Sequence, residues 1–147
     1  MLRRVLLLLG FVVGCTHSTP PGGTAPTMTH PSTPASPAWS AHPLLGDTRR
    51  VRLLRYRPER TVDLDAPAAV EAFVTAIAPT QGVTGSVPRA TPFAEVLYLD
   101  AQAAPVATVV FPDAEGEAVL SAGPRGSWRL SAAESSAVRA LLAPHGM

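Results

Sequence analysis

Lysine and asparagine are absent from this sequence, and cysteine occurs once, at position 15. Without lysine, the chain cannot form a Walker phosphate-binding loop or a serine–lysine catalytic dyad. A single cysteine excludes an intramolecular disulfide and a zinc site built from paired cysteines. The sequence also contains no His-Glu-x-x-His motif and no Gly-x-Ser-x-Gly motif. We therefore predict that the protein is not an enzyme and that it uses no metal and no cofactor.

The residue types also bear on the net charge of the chain and on the genome that encodes it. All 12 cationic side chains are arginines, against 11 aspartates and glutamates, so the formal net charge is only +1. A chain this close to neutral lacks the electrostatic basis for binding nucleic acid. Lysine, asparagine and isoleucine have A/T-rich codons. The chain has no lysine, no asparagine and a single isoleucine, Ile77, and this scarcity is typical of a high-GC bacterial genome.

The first 14 residues have the pattern of an export signal. Arg3 and Arg4 are followed by an apolar run over residues 5–13, which is too short to cross a bilayer as a stable helix. The run ends in Val12-Val13-Gly14-Cys15, which resembles the lipobox of bacterial lipoproteins. This resemblance implies cleavage before Cys15 and a lipid on that cysteine. The lipid would hold the protein on the outer face of the cytoplasmic membrane or on the outer membrane.

Residues 15–43 are rich in proline, threonine, serine and glycine and contain almost no large apolar side chain. Such a segment cannot offset its conformational entropy by burying apolar surface, so we predict a disordered tether behind the lipidated cysteine. The tether contains His17, Met28, His30 and His42. The thioether of methionine and the imidazoles of histidine can bind metal ions, so weak metal handling by the tether is an alternative function.

Residues 44–147 have the patterns of one small domain. Arg50-Val51-Arg52-Leu53 alternates polar and apolar side chains as a half-buried strand does, and a second extended piece covers residues 61–64. A helix follows, with Asp65 as its N-cap and Pro67 in its first turn. Its apolar stripe consists of Val70, Phe73, Val74 and Ile77.

The second half of the domain is predicted to contain two hairpins and a last helix. A loop over residues 80–92 precedes β-rich runs over 93–99, 106–111, 118–122 and 127–130. Ser131 and Glu134 fit a capping box at the start of the last helix. This order predicts an α+β fold, an antiparallel sheet of about four to five strands with two helices on one face. The pattern over residues 60–143 is similar to small uncharacterised lipoprotein domains of high-GC bacteria, a resemblance that implies no activity.

A run of arginines on and after the first strand is the main candidate for a binding site. Arg50 and Arg52 alternate along the strand and so share one face, and Arg55 and Arg57 continue the run. Such a stripe is suited to an anionic group of a partner, either an envelope protein or an anionic wall polymer. The alternative is that the strand lies at a sheet edge, where the charges prevent pairing with other chains.

These patterns favour a membrane-anchored, extracytoplasmic lipoprotein with a non-enzymatic binding or scaffolding role in the cell envelope. Its first partner is the membrane, through the lipid on Cys15. An envelope hydrolase is the alternative, because aspartates and glutamates occur near the predicted turns and the 80–92 loop is long enough to cover a cleft.

Overall fold

The computed structural model of the chain describes residues 36–78, 84–87 and 91–147. Within them lie β1 (Arg50–Tyr56), β2 (Glu59–Leu64), α1 (Pro67–Thr75), β3 (Ala94–Leu99), β4 (Pro105–Phe111), β5 (Val119–Ser121), β6 (Ser127–Arg129) and α2 (Ala132–Leu142). The predicted leader, Cys15 and the tether up to residue 35 lie outside the described residues, as does part of the 80–92 loop. No helix among the described residues combines the length and the apolar character that a membrane crossing requires.

The six strands form one antiparallel sheet in the order β2-β1-β3-β4-β5-β6. Buried side chains of α1 and α2 join those of one sheet face in a single apolar core. This arrangement confirms the predicted α+β fold. The sheet has more strands than the four to five expected, because every extended segment of the sequence pairs with a neighbour.

The two faces of the sheet follow from alternation along the strands. Leu53 of β1 lies beside Val96 of β3, which lies beside Val109 of β4, and all three side chains are fully buried. Neighbouring residues in each strand point to the opposite face, where Arg52 is the register partner of Asp63 in β2. The helices therefore cover the buried apolar face of the strands, and the charged pair lies on the other face, which also carries some apolar side chains such as Leu97 and Val110.

The two helix starts differ in how well they match the predicted caps. Asp65 was expected to cap α1, but Ala66 occupies the N-cap position and makes no side-chain cap hydrogen bond. A residue before proline is disfavoured in helical conformation, so Pro67 fixes the first helical residue. For α2 the capping box is confirmed, because Ser131 Oγ accepts the Glu134 N–H at 3.2 Å and the Glu134 carboxylate accepts the Ser131 N–H at 2.8 Å.

The folded domain begins earlier than the predicted boundary at residue 44. Residues 36–43, which we call the strap, contain a short 3-10 turn that contacts α1. Trp39 Nε1 donates to the carbonyl oxygen of Thr48 at 3.1 Å. The last part of the predicted tether is thus part of the domain, because its tryptophan has a partner in the fold.

Candidate functional site

The face of the sheet opposite α1 and α2 carries no helix in the part of the chain that the structure describes. Thr108 of β4 and Ser121 of β5 are register partners on this face. Val110 lies between Glu95 of β3 and Val119 of β5 in the next row. The face therefore combines hydroxyl, carboxylate and apolar side chains.

A broad groove of about 960 Å³ lies on this helix-free face. Val106, Thr108 and Val110 of β4 line it, together with Val87 and Glu95. The remaining charged and amide lining residues are Asp47, Arg49, Asp100, Gln102 and Arg125. A groove of this size can hold a small organic ligand or a short stretch of a polymer or peptide.

Two arginines line the groove, but their guanidinium groups donate to the protein backbone. Arg125 Nη2 donates to the carbonyl oxygens of Val106 and Leu44, at 2.9 and 3.2 Å. Arg49 Nη1 donates to the carbonyl oxygens of Thr48 and Gly46, at 2.8 and 3.1 Å. These side chains hold irregular backbone in place, and part of their donor capacity is already used.

The carboxylates of the groove keep free acceptor oxygens. Glu95 accepts one hydrogen bond, from the hydroxyl of Tyr56 at 2.9 Å, through Oε2. Asp100 accepts the N–H groups of Gln102 and Ala104 through Oδ1 alone. The other oxygen of each carboxylate has no protein donor among the described residues, so the groove offers acceptors to a ligand.

The predicted arginine stripe is divided between different environments. Arg50 and Arg52 share the helix-free face, as expected from their spacing. Arg52 forms an ion pair with Asp63, with Nε 2.6 Å from Oδ1. Its hydrogen bond lowers the pKa of Asp63 and raises the pKa of Arg52. Arg52 is thus already paired with an anion of the chain itself.

Arg55 and Arg57 do not extend this surface. Arg55 lies on the helix side of the sheet, with its guanidinium carbon 5.1 Å from the centroid of the Phe93 ring. Its Nη1 donates to the carbonyl oxygen of Gly146 at 2.8 Å, which holds the end of the domain against the sheet. Arg57 is exposed in the turn between β1 and β2. The structure therefore brings only Arg50 and Arg52 together.

The edge-strand interpretation of the arginines is wrong. β1 pairs with β2 on one side and with β3 on the other, so it has no free edge. β2 is the outer strand beside β1, and it carries the charged residues Glu59, Arg60 and Asp63. Charges at an outer strand oppose pairing with further chains, so the expected protection belongs to β2.

The carboxylates with shifted pKa values serve the fold. The pKa of Asp113 is lowered because its carboxylate accepts the backbone N–H groups of Gly116 and Glu115. Burial alone would raise the pKa of Glu134, but hydrogen bonds from Ser131 and from the Ala78 N–H lower it. A general acid at neutral pH needs a raised carboxyl pKa, and these shifts go the other way.

His42 is part of the domain fold. Its Nδ1 accepts the backbone N–H groups of Leu44 and Leu45, at 3.2 and 3.1 Å. Its Nε2 therefore carries the hydrogen and donates to the carbonyl oxygen of Ile77 at 3.1 Å. Both ring nitrogens are occupied, so His42 does not fit the predicted metal-binding role. His17, Met28 and His30 lie outside the described residues, and within those residues no group of three or more His, Cys, Asp or Glu side chains could hold a metal ion.

The groove includes residues that the sequence did not single out. Asp47 and Arg125 are far apart in the chain. Both line the groove because the β5–β6 turn packs against the segment that begins at Leu44. The one local signal was Gly123-Pro124-Arg125-Gly126, in which both glycines have positive φ and present Arg125 at the tip of a tight turn. No protein-family model matches the chain, and searches of curated proteins and of solved structures give no match.

Proposed function

We propose that this chain is a lipid-anchored lipoprotein of the bacterial cell envelope that binds a partner protein through the helix-free face of its sheet and catalyses no reaction. The observation that carries the binding role is the groove on that face, with its strand hydroxyls, the half-buried Val106, the exposed Val87, and acceptor oxygens that no described donor uses. The proposed anchor rests on Cys15 and the three residues before it, which resemble a lipobox.

The charges around the groove favour a protein partner over an anionic wall polymer. Arg52 is paired with Asp63, while Arg49 and Arg125 donate to backbone carbonyls. The groove is lined by three carboxylates, Asp47, Glu95 and Asp100, against the two arginines Arg49 and Arg125, so its formal charge is slightly negative and does not favour an anionic polymer. A protein surface can supply the N–H and O–H donors that these carboxylate oxygens accept.

The three carboxylates with lowered pKa values lie outside the groove and serve the fold, so they supply no general acid for hydrolysis there. Asp63, Asp113 and Glu134 are held ionised by donors of the fold. Asp63 stabilises the pairing of β1 and β2, Asp113 stabilises a turn, and Glu134 stabilises the start of α2. A glycosidase-type mechanism instead needs one carboxyl that stays protonated near neutral pH and faces a second carboxylate.

Photo-cross-linking in the native host tests this function on the full chain. A photoreactive amino acid at Thr108 should give one discrete cross-linked species that contains a second protein. Filling the groove with Ser121→Trp should abolish that species, and Cys15→Ser should reduce it by releasing the chain from the membrane. The same probe at Ala68, which is exposed on α1, is the matched control and should give no such species.

Three results would count against the proposal. Equal products from positions 108 and 68 would mean that the groove is not the binding surface. A product that survives Ser121→Trp, in a variant whose thermal unfolding is unchanged, would mean the same. A cross-link to polymer without protein would contradict the proposed partner.

A further inference from the structure

The strap is held to the domain by hydrogen bonds and by Trp39, which is partly buried against the hydrophobic core. None of the residues in its 3-10 turn, Ala38–Ala41, is buried. A cleft of about 300 Å³ remains between the strap and α1, lined by Trp39, His42, Val74 and Ile77 among others. Apart from Trp39 the turn buries no apolar side chain, and the cleft leaves its packing incomplete, so the strap belongs to a less stable part of the domain.

The next residues along the chain mark where the strap ends. Leu44 and Leu45 are only 6% and 0% exposed, so they belong to the core. Gly46 lies directly against the strap, since a Cβ atom there would overlap the carbonyl oxygens of Ser40 and His42. Opening of the chain from its N-terminal side would therefore stop at Leu44, with residues 36–43 released.

The strap and the groove share hydrogen-bonding groups. The Thr48 carbonyl oxygen accepts from Trp39 of the strap at 3.1 Å and from the groove residue Arg49 at 2.8 Å. The Arg125 guanidinium donates to the strap carbonyl of Pro43 at 3.5 Å and to the groove carbonyl of Val106 at 2.9 Å. A movement of the strap therefore changes the hydrogen-bond partners of the groove residues, and a movement of the groove residues changes those of the strap.

We propose that the strap opens as a unit while the rest of the domain stays folded, and that its docking is coupled to occupation of the groove. This regulation rests on the proposed binding function of the groove. A partner that draws Arg125 toward itself weakens the hold on Pro43, and by reciprocity an open strap changes the affinity of the groove. An opened strap of eight residues adds roughly 25 Å of reach to the segment before it.

Hydrogen exchange of the full chain tests the opening step. The His42 N–H, which donates to the Trp39 carbonyl, and the Gly46 N–H, which donates to the His42 carbonyl, report on the strap. We expect both to exchange at least about a hundredfold faster than the amides of β3. Gly46→Ala should speed exchange at His42 by about a further tenfold, with β3 unchanged. Trp39→Phe, which removes the donor to Thr48 and part of the ring surface packed against the core, is the second variant should Gly46→Ala disturb folding.

Arg125→Gln tests the coupling from the groove side. It should speed exchange at His42 about fivefold, while the matched control Arg129→Gln should not, because Arg129 is exposed on β6 and has only a 3.8 Å ion pair with Glu117. In the opposite direction, Gly46→Ala or Trp39→Phe should change the cross-linking yield at Thr108.

The outcomes separate the coupling from the binding function. Exchange of His42 and Gly46 at the rate of the β3 amides would show that the strap opens only with global unfolding and would overturn the proposal. Equal effects of Arg125→Gln and Arg129→Gln, or an unchanged yield at Thr108 in both strap variants, would also overturn it while leaving the groove as a binding site. If the probe at Thr108 gives no specific cross-link in the otherwise unmutated chain, the binding function itself is contradicted.

Discussion

Arg52 and Asp63 form a two-point ion pair across β1 and β2, with Nε 2.6 Å from Oδ1 and Nη2 2.9 Å from Oδ2. The pair lies on the helix-free face, and its side chains are 39% and 44% exposed. Water and salt therefore screen it, and it contributes little to stability. Arg52 is thereby paired on that face with an anion of the chain itself.

Asp63→Asn should give a pH-dependent loss of stability. The pKa of Asp63 is lower in the folded chain than its ordinary 3.8, so the pair stabilises the fold above that pH. The stabilisation is lost as the pH falls through the lowered value. Urea unfolding should show a small deficit for the variant near neutral pH that disappears in strong acid. Asp65→Asn, at an exposed position outside the strand pair, is the control, and an equal deficit at all pH values would contradict the ion-pair explanation.

Tyr98→Phe should destabilise the domain by about 1–3 kcal/mol, because it leaves a buried carbonyl without its donor. The Tyr98 hydroxyl donates to the Phe73 carbonyl oxygen of α1 at 3.1 Å, and its side chain is fully buried. Burial also raises the pKa of Tyr98 far above its usual value, so the hydroxyl keeps its proton. Tyr56→Phe, at an exposed position on the other face, should change the free energy of unfolding much less in the same denaturant titration.

Glu134→Ala should cost about 1–2 kcal/mol, since it removes both the capping box of α2 and the acceptor for the Ala78 N–H just beyond α1. Glu134→Gln keeps an acceptor oxygen and should lose less. Thermal unfolding of the two variants beside Glu71→Ala, an exposed change on α1, measures the difference. Equal effects of Glu134→Ala and Glu71→Ala would exclude the link between the helices.

Ala103→Gly should stabilise the β3–β4 turn by about 0.5–1 kcal/mol, because an L-residue at positive φ is strained there. Ala103 has φ of 62° and closes the turn by donating its N–H to the Asp100 carbonyl. Ala101→Gly, in the same turn, relieves no such strain and should be neutral or destabilising. A lower melting temperature for Ala103→Gly than for the unmutated chain would contradict this assignment.

Much of the fold could be predicted because it depends on short-range patterns. Alternation of Val51 and Leu53 with arginines defines a strand face from four residues of sequence, and the Ser131–Glu134 capping box spans a single helical turn. The interior position of β1 depends instead on which strands pair with it, and no local pattern contains that information.

The candidate site was less predictable, because its contacts join distant parts of the chain. The partner of His42 is Ile77, 35 residues away, and Arg125 reaches Leu44, 81 residues away. A proline-rich composition therefore concealed the folded strap. The arginine run was visible in the sequence, but the acceptors that occupy Arg52 and Arg55 lie on β2 and at Gly146.

Intact-mass measurement of the native polypeptide, extracted from the membranes of its host, tests most directly whether the chain is a lipoprotein. The proposed function predicts a protein that starts at Cys15, lacks the leader, and carries the added mass of a diacylglyceryl group on that residue. A polypeptide that retains residues 1–14, or an N-terminal Cys15 without added lipid mass, would contradict it.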